Sequence, residues 1–525
     1  MNEPATTETG EMGKSRGLLK SSGVVSGMTM LSRIFGLVRD MVIAYYFGAS
    51  AGADTFFLAF RIPNFFRRLF GEGAFSQAFV PVLSEYRTKR AQDHVQELVD
   101  KVSGTLGLNL LVLTIVGVAG AHYIIGAFAA GYVYHGQSEK LVLATDMLRL
   151  TFPYLMLISL TAFSAGILNS YGRFAVPAIT PVLLNLSLIL CAIFLRPWLH
   201  TPVMALAWAV LIAGILQLGF QLPFLSRLGL MPRPKVDVHD EGVRKILKLM
   251  VPAIFGVSVG QVNLLVDTVL ASFLVTGSLS WLYYSDRLME LPLALFGITI
   301  GTVILPSLSR EHAAESREEF GKTLDWAMRM VILVGTPAAV ALVTLSKSLI
   351  TTLFFQGEMT RHDVTMSSLS LMAFGVGLPG HMLVKVLAPG YFSRQDTATP
   401  VRYGITAMVS NILLNLIFIW HLKHAGLALA TSLSAFLNAG LLWRGLARRE
   451  VFIRVPGWTA FLGRVAIANL AMWAFLFLLS PDMSAWFDMR FWQRLVYMLL
   501  ICGGGALTYG ASLKLTGFRF KEMVR

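Results

Sequence analysis

The 525-residue chain has two cysteines, Cys191 and Cys502, and both lie in apolar runs. That excludes a disulfide framework and leaves no metal-ligand spacing. Charge is scarce as well. Only 14% of the residues are Asp, Glu, Lys or Arg, and 55% are hydrophobic, whereas a soluble domain carries about 25% charged residues. The composition excludes a soluble globule and describes a polytopic, all-α membrane protein. Acidic residues are fewer than basic ones, 30 against 44, giving a net charge of +14. The basic residues are scattered between apolar spans and not gathered in one stripe or tail, which argues against nucleic acid as a partner. No GxxxxGK[ST] segment occurs, so ATP hydrolysis by this chain is not expected. Residues 1–21 are polar apart from a few bases. The apolar stretch after Lys20 has no small-residue cleavage site and is interrupted by Arg33, so a cleaved signal peptide is not expected.

Long apolar runs dominate what remains. A membrane span needs about 20 mostly apolar residues. The chain offers about 14 candidates, near 22–47, 53–86, 100–131, 140–168, 174–196, 201–226, 243–272, 278–311, 321–346, 363–391, 398–420, 425–446, 458–480 and 491–514. The second and eighth are long for a simple span, which suggests tilt or protrusion on one side. With the N-terminus in the cytoplasm, the inside loops collect the bases. Examples are Arg87, Lys89 and Arg90, then Arg227, Arg233 and Lys235, then Arg444, Arg448 and Arg449. The outside loops hold few, such as Lys140, Arg196 and Lys347. The positive-inside rule therefore places both termini in the cytoplasm.

An internal repeat appears at an offset of about 225 residues. LVRD, ending at Asp40, returns as LLVD, ending at Asp267; FVPVLSEY returns as ILPSLSRE; and GILNSYGRFAVPAITPVLLNL returns as APGYFSRQDTATPVRYGITAMVSNILLNL. Similar matches in the same order argue for two pseudo-symmetric six-helix lobes, a plan common among rocking transporters. The expected organisation is a polar tail (1–21), an N-lobe (22–226), a cytoplasmic linker (227–242), a C-lobe (243–447), and a C-terminal helix pair with a basic tail (448–525).

Charged residues inside the spans are the functional signal. A charge at mid-membrane costs roughly 2.5–3.5 kcal/mol on insertion scales, so it usually faces water or another charge. Ser26 to Glu85 carries Arg33, Arg39, Asp40, Asp54, Arg61, Arg67, Arg68 and Glu72. This predicts an arginine-rich polar cavity, suited by the planar guanidinium to a phosphate or carboxylate. Arg33 and Arg39 lie about 120° apart on a straight helix, and a bend at Gly36 would bring them together. The plain alternative is that each snorkels or neutralises a nearby acid. Asp54, Arg61 and Arg68 recur every seven residues on one helix face; with Glu72 they would also form a salt-bridge ladder. Asp54 is equally placed to be an N-cap. Arg287 can pair with Glu290, or Asp286 can offset it. Asp267 near mid-membrane, and Asp396 after the tenth span, are candidates for a coupling ion, Na+ or H+. Their plain alternatives are pairing with a polar neighbour such as Asn263 and capping of the next helix. Arg149 pairs at i,i+3 with Asp146, or else it and Lys385 serve transport.

The segments SGMTMLSRIFGLVRD, GADTFFLAFRIPNFFRRLFGEGAFSQAFVPVLSEY, WLYYSDRLMELP and VKVLAPGYFSRQDTATPV resemble the MurJ (MviN) family. These are bacterial lipid II flippases of the multidrug/oligosaccharidyl-lipid/polysaccharide exporter superfamily. The resemblance covers about residues 20 to 520. It implies 14 transmembrane helices, two six-helix lobes and an extra C-terminal pair in the inner membrane. The implied substrate is lipid II, the undecaprenyl-diphosphate-linked disaccharide-peptide, moved from inner to outer leaflet by alternating access. The resemblance also implies substrate roles for Arg33, Arg39, Arg287, Asp54 and Arg67; Arg61, Arg68, Glu72, Asp286 and Glu290 are read from their spacing as cavity salt bridges. It implies no cofactor beyond a coupling ion and no structural metal. Beyond membrane lipids, it suggests cell-wall synthesis proteins as partners. On that reading Phe475, Phe477, Trp486, Trp492 and Tyr497 offer a groove for the polyprenyl tail, and Arg464 meets a phosphate or anionic lipid. The alternatives are another undecaprenyl-diphosphate-linked oligosaccharide or, less well matched to an arginine-rich cavity, a drug. A membrane enzyme would need a catalytic acid or base on a substantial outer loop, and the longest, about Lys347 to Arg361, offers only Glu358.

Overall fold

The computed structural model describes residues 8–68, 75–448 and 455–519. Among these the chain is helical throughout, with no strand. Ten helices are long and apolar enough to cross a membrane. One of them, Ala398–Arg448, breaks at Lys423 (φ 51°, ψ −129°), so it supplies two of the expected spans. The expected spans 22–47 and 243–272 correspond to the helices Glu8–Phe47 and Glu241–Ser272. By length and composition alone, the described helices do not establish the count of fourteen.

The two long expected spans are interrupted, not merely tilted. The second comprises Ala51–Phe66, a π-helical turn at residues 67 and 68, and Ser76–Lys89. The eighth comprises Ser278–Pro292, a π-helical stretch Leu293–Ile298, and Thr299–Ala313. Pro292, which lacks the N–H that a regular ladder needs, immediately precedes this stretch. Single π-helical turns of this kind are frequent at functional sites.

The chain separates into two compact units. The first is Met1–Tyr46 with Thr55–Gln261, and the second is Phe47–Asp54 with Val262–Arg525. In the first unit, Phe75, Phe79, Val82, Leu98, Val102, Phe163 and Ile246 form one core. The rings of Phe79 and Phe163 sit 5.0 Å apart. The segment 227–242 is not a loose connection there. Its Arg233 and Lys235 amides donate to Asp100 at 2.9 and 3.0 Å. A Cβ on Gly104 would run into the Lys235 backbone, so glycine is what allows this approach. Lys101 Nζ reaches Asp240 at 2.9 Å and Glu97 at 2.9 Å. Asp240 in turn accepts from the Gly242 and Val243 amides, capping the next helix. Partial burial pulls the Asp240 carboxyl upward. The Lys101 hydrogen bond and the two amides outweigh that and hold it below the usual carboxylate range.

In the second unit the C-terminal helices Trp458–Leu479 and Phe491–Leu515 pack on Arg317–Thr344 through Leu333, Val465, Met472 and Leu476. Trp458 Nε1 donates to the buried Asp325 at 2.6 Å, and Arg329 donates to the same carboxylate at 2.8 Å. Arg494 is only 6% exposed. Its guanidinium donates to the carbonyls of Trp486, Phe487, Thr351 and Phe355 at 2.7–3.3 Å. These carbonyls close the helices Met483–Asp488 and Ser346–Phe354, so the cation sits at two negative helix ends. Trp486 is fully buried in this core, unlike the tail groove expected for it, whereas Phe477 (63%) and Trp492 (71%) are exposed.

Candidate functional site: charged groups within the spans

In the first unit the charged residues of the first helix divide. Arg33 is exposed, and Arg39 is 5% exposed beside Asp40 at 1%. The two arginines thus lie in different surroundings, in keeping with their roughly 120° separation on the helix. Arg39 donates to Asp40 Oδ1 through Nε (2.9 Å) and Nη2 (2.6 Å), and to Asn185 Oδ1 through Nη1 (3.0 Å). Asn185 passes its own N–H to the Ser32 carbonyl at 3.0 Å. Arg67 donates from Nε to Asn64 Oδ1 at 2.8 Å, and Arg61, Arg67 and Arg68 are all half-buried. Glu72 lies outside the described residues, so the expected ladder is seen only through its arginines.

In the second unit Asp54 is a cap, but not of its own helix. Ser50 Oγ takes the Ala53 amide of the Ala51–Phe66 helix at 3.3 Å. Asp54, 2% exposed, instead accepts from Gly277 N (2.6 Å), Ser280 N (2.9 Å) and Ser280 Oγ (2.6 Å). It therefore satisfies the first turn of Ser278–Pro292, where anions are favoured. Tyr284 fastens the same turn by donating to the Gly48 carbonyl at 2.8 Å. Gly48 has φ +55°, and a Cβ there would lie 2.6 Å from the Glu358 carbonyl oxygen. Both facts require glycine.

Arg287 forms the expected pair with Glu290, Nη1 to Oε2 at 2.9 Å, with 36% and 39% of the two side chains exposed. Its guanidinium carbon also lies 5.5 Å from the Tyr283 ring centroid, and Asp286 beside it is half-buried. Asp267 accepts from Asn415 Nδ2 at 2.7 Å; its amide partner is Asn415, where Asn263 had been the candidate. Asn415 Nδ2 also meets Asn411 Oδ1 at 3.1 Å, and Asn411 Nδ2 reaches Thr431 Oγ1 at 3.3 Å. Both asparagines are fully buried, and Asn415 Oδ1 has no hydrogen-bond partner among the described residues. Asp396 does not join this group. It caps Thr399 through the amide (3.0 Å) and the hydroxyl (2.7 Å). It also lies just before the helix Ala398–Arg448, in which Asn415 is 17 residues past Ala398, about 26 Å along the axis. Asp267 and Asp396 therefore cannot share an ion. Arg149 pairs with Asp146 at 3.2 Å, Lys385 is exposed and Arg464 is half-buried. Among the described residues no cluster of three His, Cys, Asp or Glu could hold a metal.

The sequence reading did not single out Asn185, Asn411 and Asn415. Their signal was present: uncharged polar side chains inside apolar spans, Asn185 and Asn415 in the repeated LLNL and Asn411 one turn earlier.

A multi-pass helical bundle with paired charges in its spans is an architecture common among membrane transporters. A multidrug resistance MATE family transporter of the MOP superfamily, inward-facing, aligns over 82% of this chain and 98% of its own at TM-score 0.64, with 16% identity. That likeness defines the fold. A solved lipid II flippase MurJ in an inward closed conformation aligns at TM-score 0.77 with 28% identity, covering 95% of this chain and 99% of that one. The family model described as lipid II flippase MurJ matches residues 43–497, and the chain belongs to that family. It is 49% identical over 518 residues to a probable lipid II flippase MurJ of Vibrio cholerae, covering 98% of this chain and 99% of that protein. It is 43% identical over 459 residues to the lipid II flippase MurJ of Burkholderia cenocepacia, covering 87% and 89%. These relatives are named as transporters, not enzymes.

Proposed function

We propose that this protein flips lipid II from the inner to the outer leaflet of the bacterial cytoplasmic membrane by alternating access, with both termini in the cytoplasm. The observation that carries this is the full-length match to proteins named as lipid II flippases. The diphosphate of the head group is assigned to guanidinium groups by charge-assisted hydrogen bonding. Arg33, exposed, and Arg287, whose ion pair with Glu290 is more than a third exposed, are the leading ligands. Arg67 is a third. Arg39 is enclosed by Asp40 and Asn185 and serves the site indirectly.

The coupling ion is assigned to Asp267 with Asn411, Asn415 and Thr431. A half-buried carboxylate beside a buried amide oxygen that accepts no hydrogen bond among the described residues suits Na+ or a proton.

The test is complementation of a strain depleted of its lipid II flippase, with lipid II exposure on the outer leaflet as the readout. The parent should restore exposure. Arg33→Ala and Arg287→Ala, expressed at parental levels, should not. A parent that fails points to another lipid-linked glycan; working variants remove these arginines from the head-group site.

A further inference from the structure

The core of the first unit is not filled throughout. A cavity of about 220 Å³ lies between the helices Gln92–Ala119, Tyr154–Ser170 and Glu241–Ser272. All of its lining residues belong to the first unit. Voids larger than a water molecule are few in a packed interior. A cavity of about 150 Å³ lined by Leu, Ile and Phe stays dry and takes benzene, so this one has room for a substituted ring. Its walls are apolar, with Phe75, Leu110 and Ile246 buried. Among the described residues, none of those lining it is charged.

Two hydroxyl residues line the cavity. Thr105 Oγ1 is engaged, accepting from the Asp237 amide at 3.3 Å. Ser159 is not. It is 3% exposed, and its Oγ has no hydrogen-bond partner among the described residues. On the same helix Thr161, Ser164 and Ser170 each donate to the carbonyl four residues back, at 2.8–2.9 Å. Ser159 makes no such bond, and a buried hydroxyl left this way is costly. The open side is set by Asn109 and Leu247, both exposed, with Leu113 half-buried. Leu108, Leu111 and Val112 on one helix, and Leu249 and Val251 on the other, are exposed as well. The mouth therefore opens among lipid-facing side chains. Asn109 lies eight residues past Lys101, about 12 Å along the axis. The Lys101 pairs with Glu97 and Asp240 mark the polar end of that helix, so the mouth is well inside the apolar span.

We propose that this cavity binds a neutral lipophile with the bulk of a substituted benzene ring and a hydroxyl at its leading end, entering sideways from the bilayer. The hydroxyl pairs with Ser159 at the floor. The apolar remainder fills the cavity, and Asn109 offers a second polar contact where the molecule leaves it. A plain hydrocarbon tail would leave the serine unpaired, and an anion would meet no cation in the lining. The bound molecule joins the first turns of Glu241–Ser272 to Gln92–Ala119. The site does not depend on which lipid the chain transports.

The experiment uses the full chain reconstituted in phosphatidylcholine vesicles. The probe is a para-alkylphenol carrying a diazirine on its alkyl chain, compared with the same alkylbenzene lacking the hydroxyl. After photolysis the labelled peptides are mapped by mass spectrometry. Phenol labelling should saturate, be displaced by unlabelled alkylphenol, and fall near Leu113 and Leu247, because the diazirine trails the hydroxyl. Ser159→Ala should raise the half-saturating concentration roughly 2–12-fold, the worth of one hydrogen bond. Leu110→Trp, which fills the cavity, should abolish the saturable labelling. The hydroxyl-free analogue should not distinguish the parent from Ser159→Ala. Equal binding of phenol and analogue to the parent makes this a site for hydrocarbon alone and overturns the proposal. So does labelling that misses these helices or does not saturate, or that Ser159→Ala leaves unchanged. If Leu110→Trp is not recovered folded, displacement in the parent and the Ser159→Ala comparison decide.

Discussion

At the scale of single residues, the charges in the spans fall into two kinds, held tightly and held loosely. Asp54 is of the first kind, accepting three hydrogen bonds while 2% exposed. Asp54→Ala would leave the Gly277 and Ser280 donors buried without acceptors. The expected loss is about 2–4 kcal/mol, visible as an earlier thermal unfolding transition, with Asp54→Asn in between. Arg287 is of the second kind. Its pair with Glu290 is more than a third exposed, and such pairs contribute only about 0–1 kcal/mol. A phosphate can replace Glu290 at small cost. Glu290→Gln should therefore leave lipid II exposure near the parental level, while Arg287→Ala abolishes it. The charges themselves were plain in the sequence, and so was the i,i+3 pair. The identity of what Asp54 caps was not. Helical periodicity speaks only of neighbours within a turn or two, and the donors to Asp54 lie 223 and 226 residues away.

At the scale of elements, two joints hold helices that hydropathy alone would place side by side without fixing. One is Arg494, which gathers four carbonyls from the ends of two short helices. Arg494→Met keeps the apolar stem but leaves those carbonyls short of donors. It should lower stability by about 2–4 kcal/mol, read from the unfolding of the purified protein. The sequence offered no hint of this role, because the partners are backbone oxygens and backbone carries no signature. The other joint is Lys101–Asp240 in the first unit. A carboxyl depressed by its partners contributes stability that is fully present above its unfolded value, about pH 4. That contribution is lost as pH falls through the folded value. Asp240→Asn should therefore lower the unfolding temperature at pH 7, and the gap from the parent should close in strong acid. The linker 227–242 was legible as a polar, basic stretch between spans. Its docking on Asp100 and Gly104 was not, because it depends on one missing Cβ and on amide donors.

At the scale of the whole molecule, apolar length carried most of the helical architecture. What it missed were the π-helical turns in the two long spans; the break at Lys423 falls between the expected spans 398–420 and 425–446. The two long spans continue in composition through their π-helical turns, and only backbone geometry changes. The energy source is also a property of the whole chain. With no nucleotide motif in the sequence, lipid II movement in vesicles should proceed without ATP. It should follow an imposed potential or ion gradient; one charge across 100 mV is worth about 2.3 kcal/mol. Loss of movement on removing ATP alone, with the gradients kept, would contradict this.

The cap supplied by Asp54 also sets an order of events during biosynthesis. Its carboxylate emerges from the ribosome 223 residues ahead of the Gly277 amide that it needs. At about 5–20 residues per second, that interval lasts roughly 10–45 s. Through it, the nascent protein holds an acid that its final partners cannot yet reach. The turn after the first helix must therefore wait at the membrane surface until the later helix arrives to collect it.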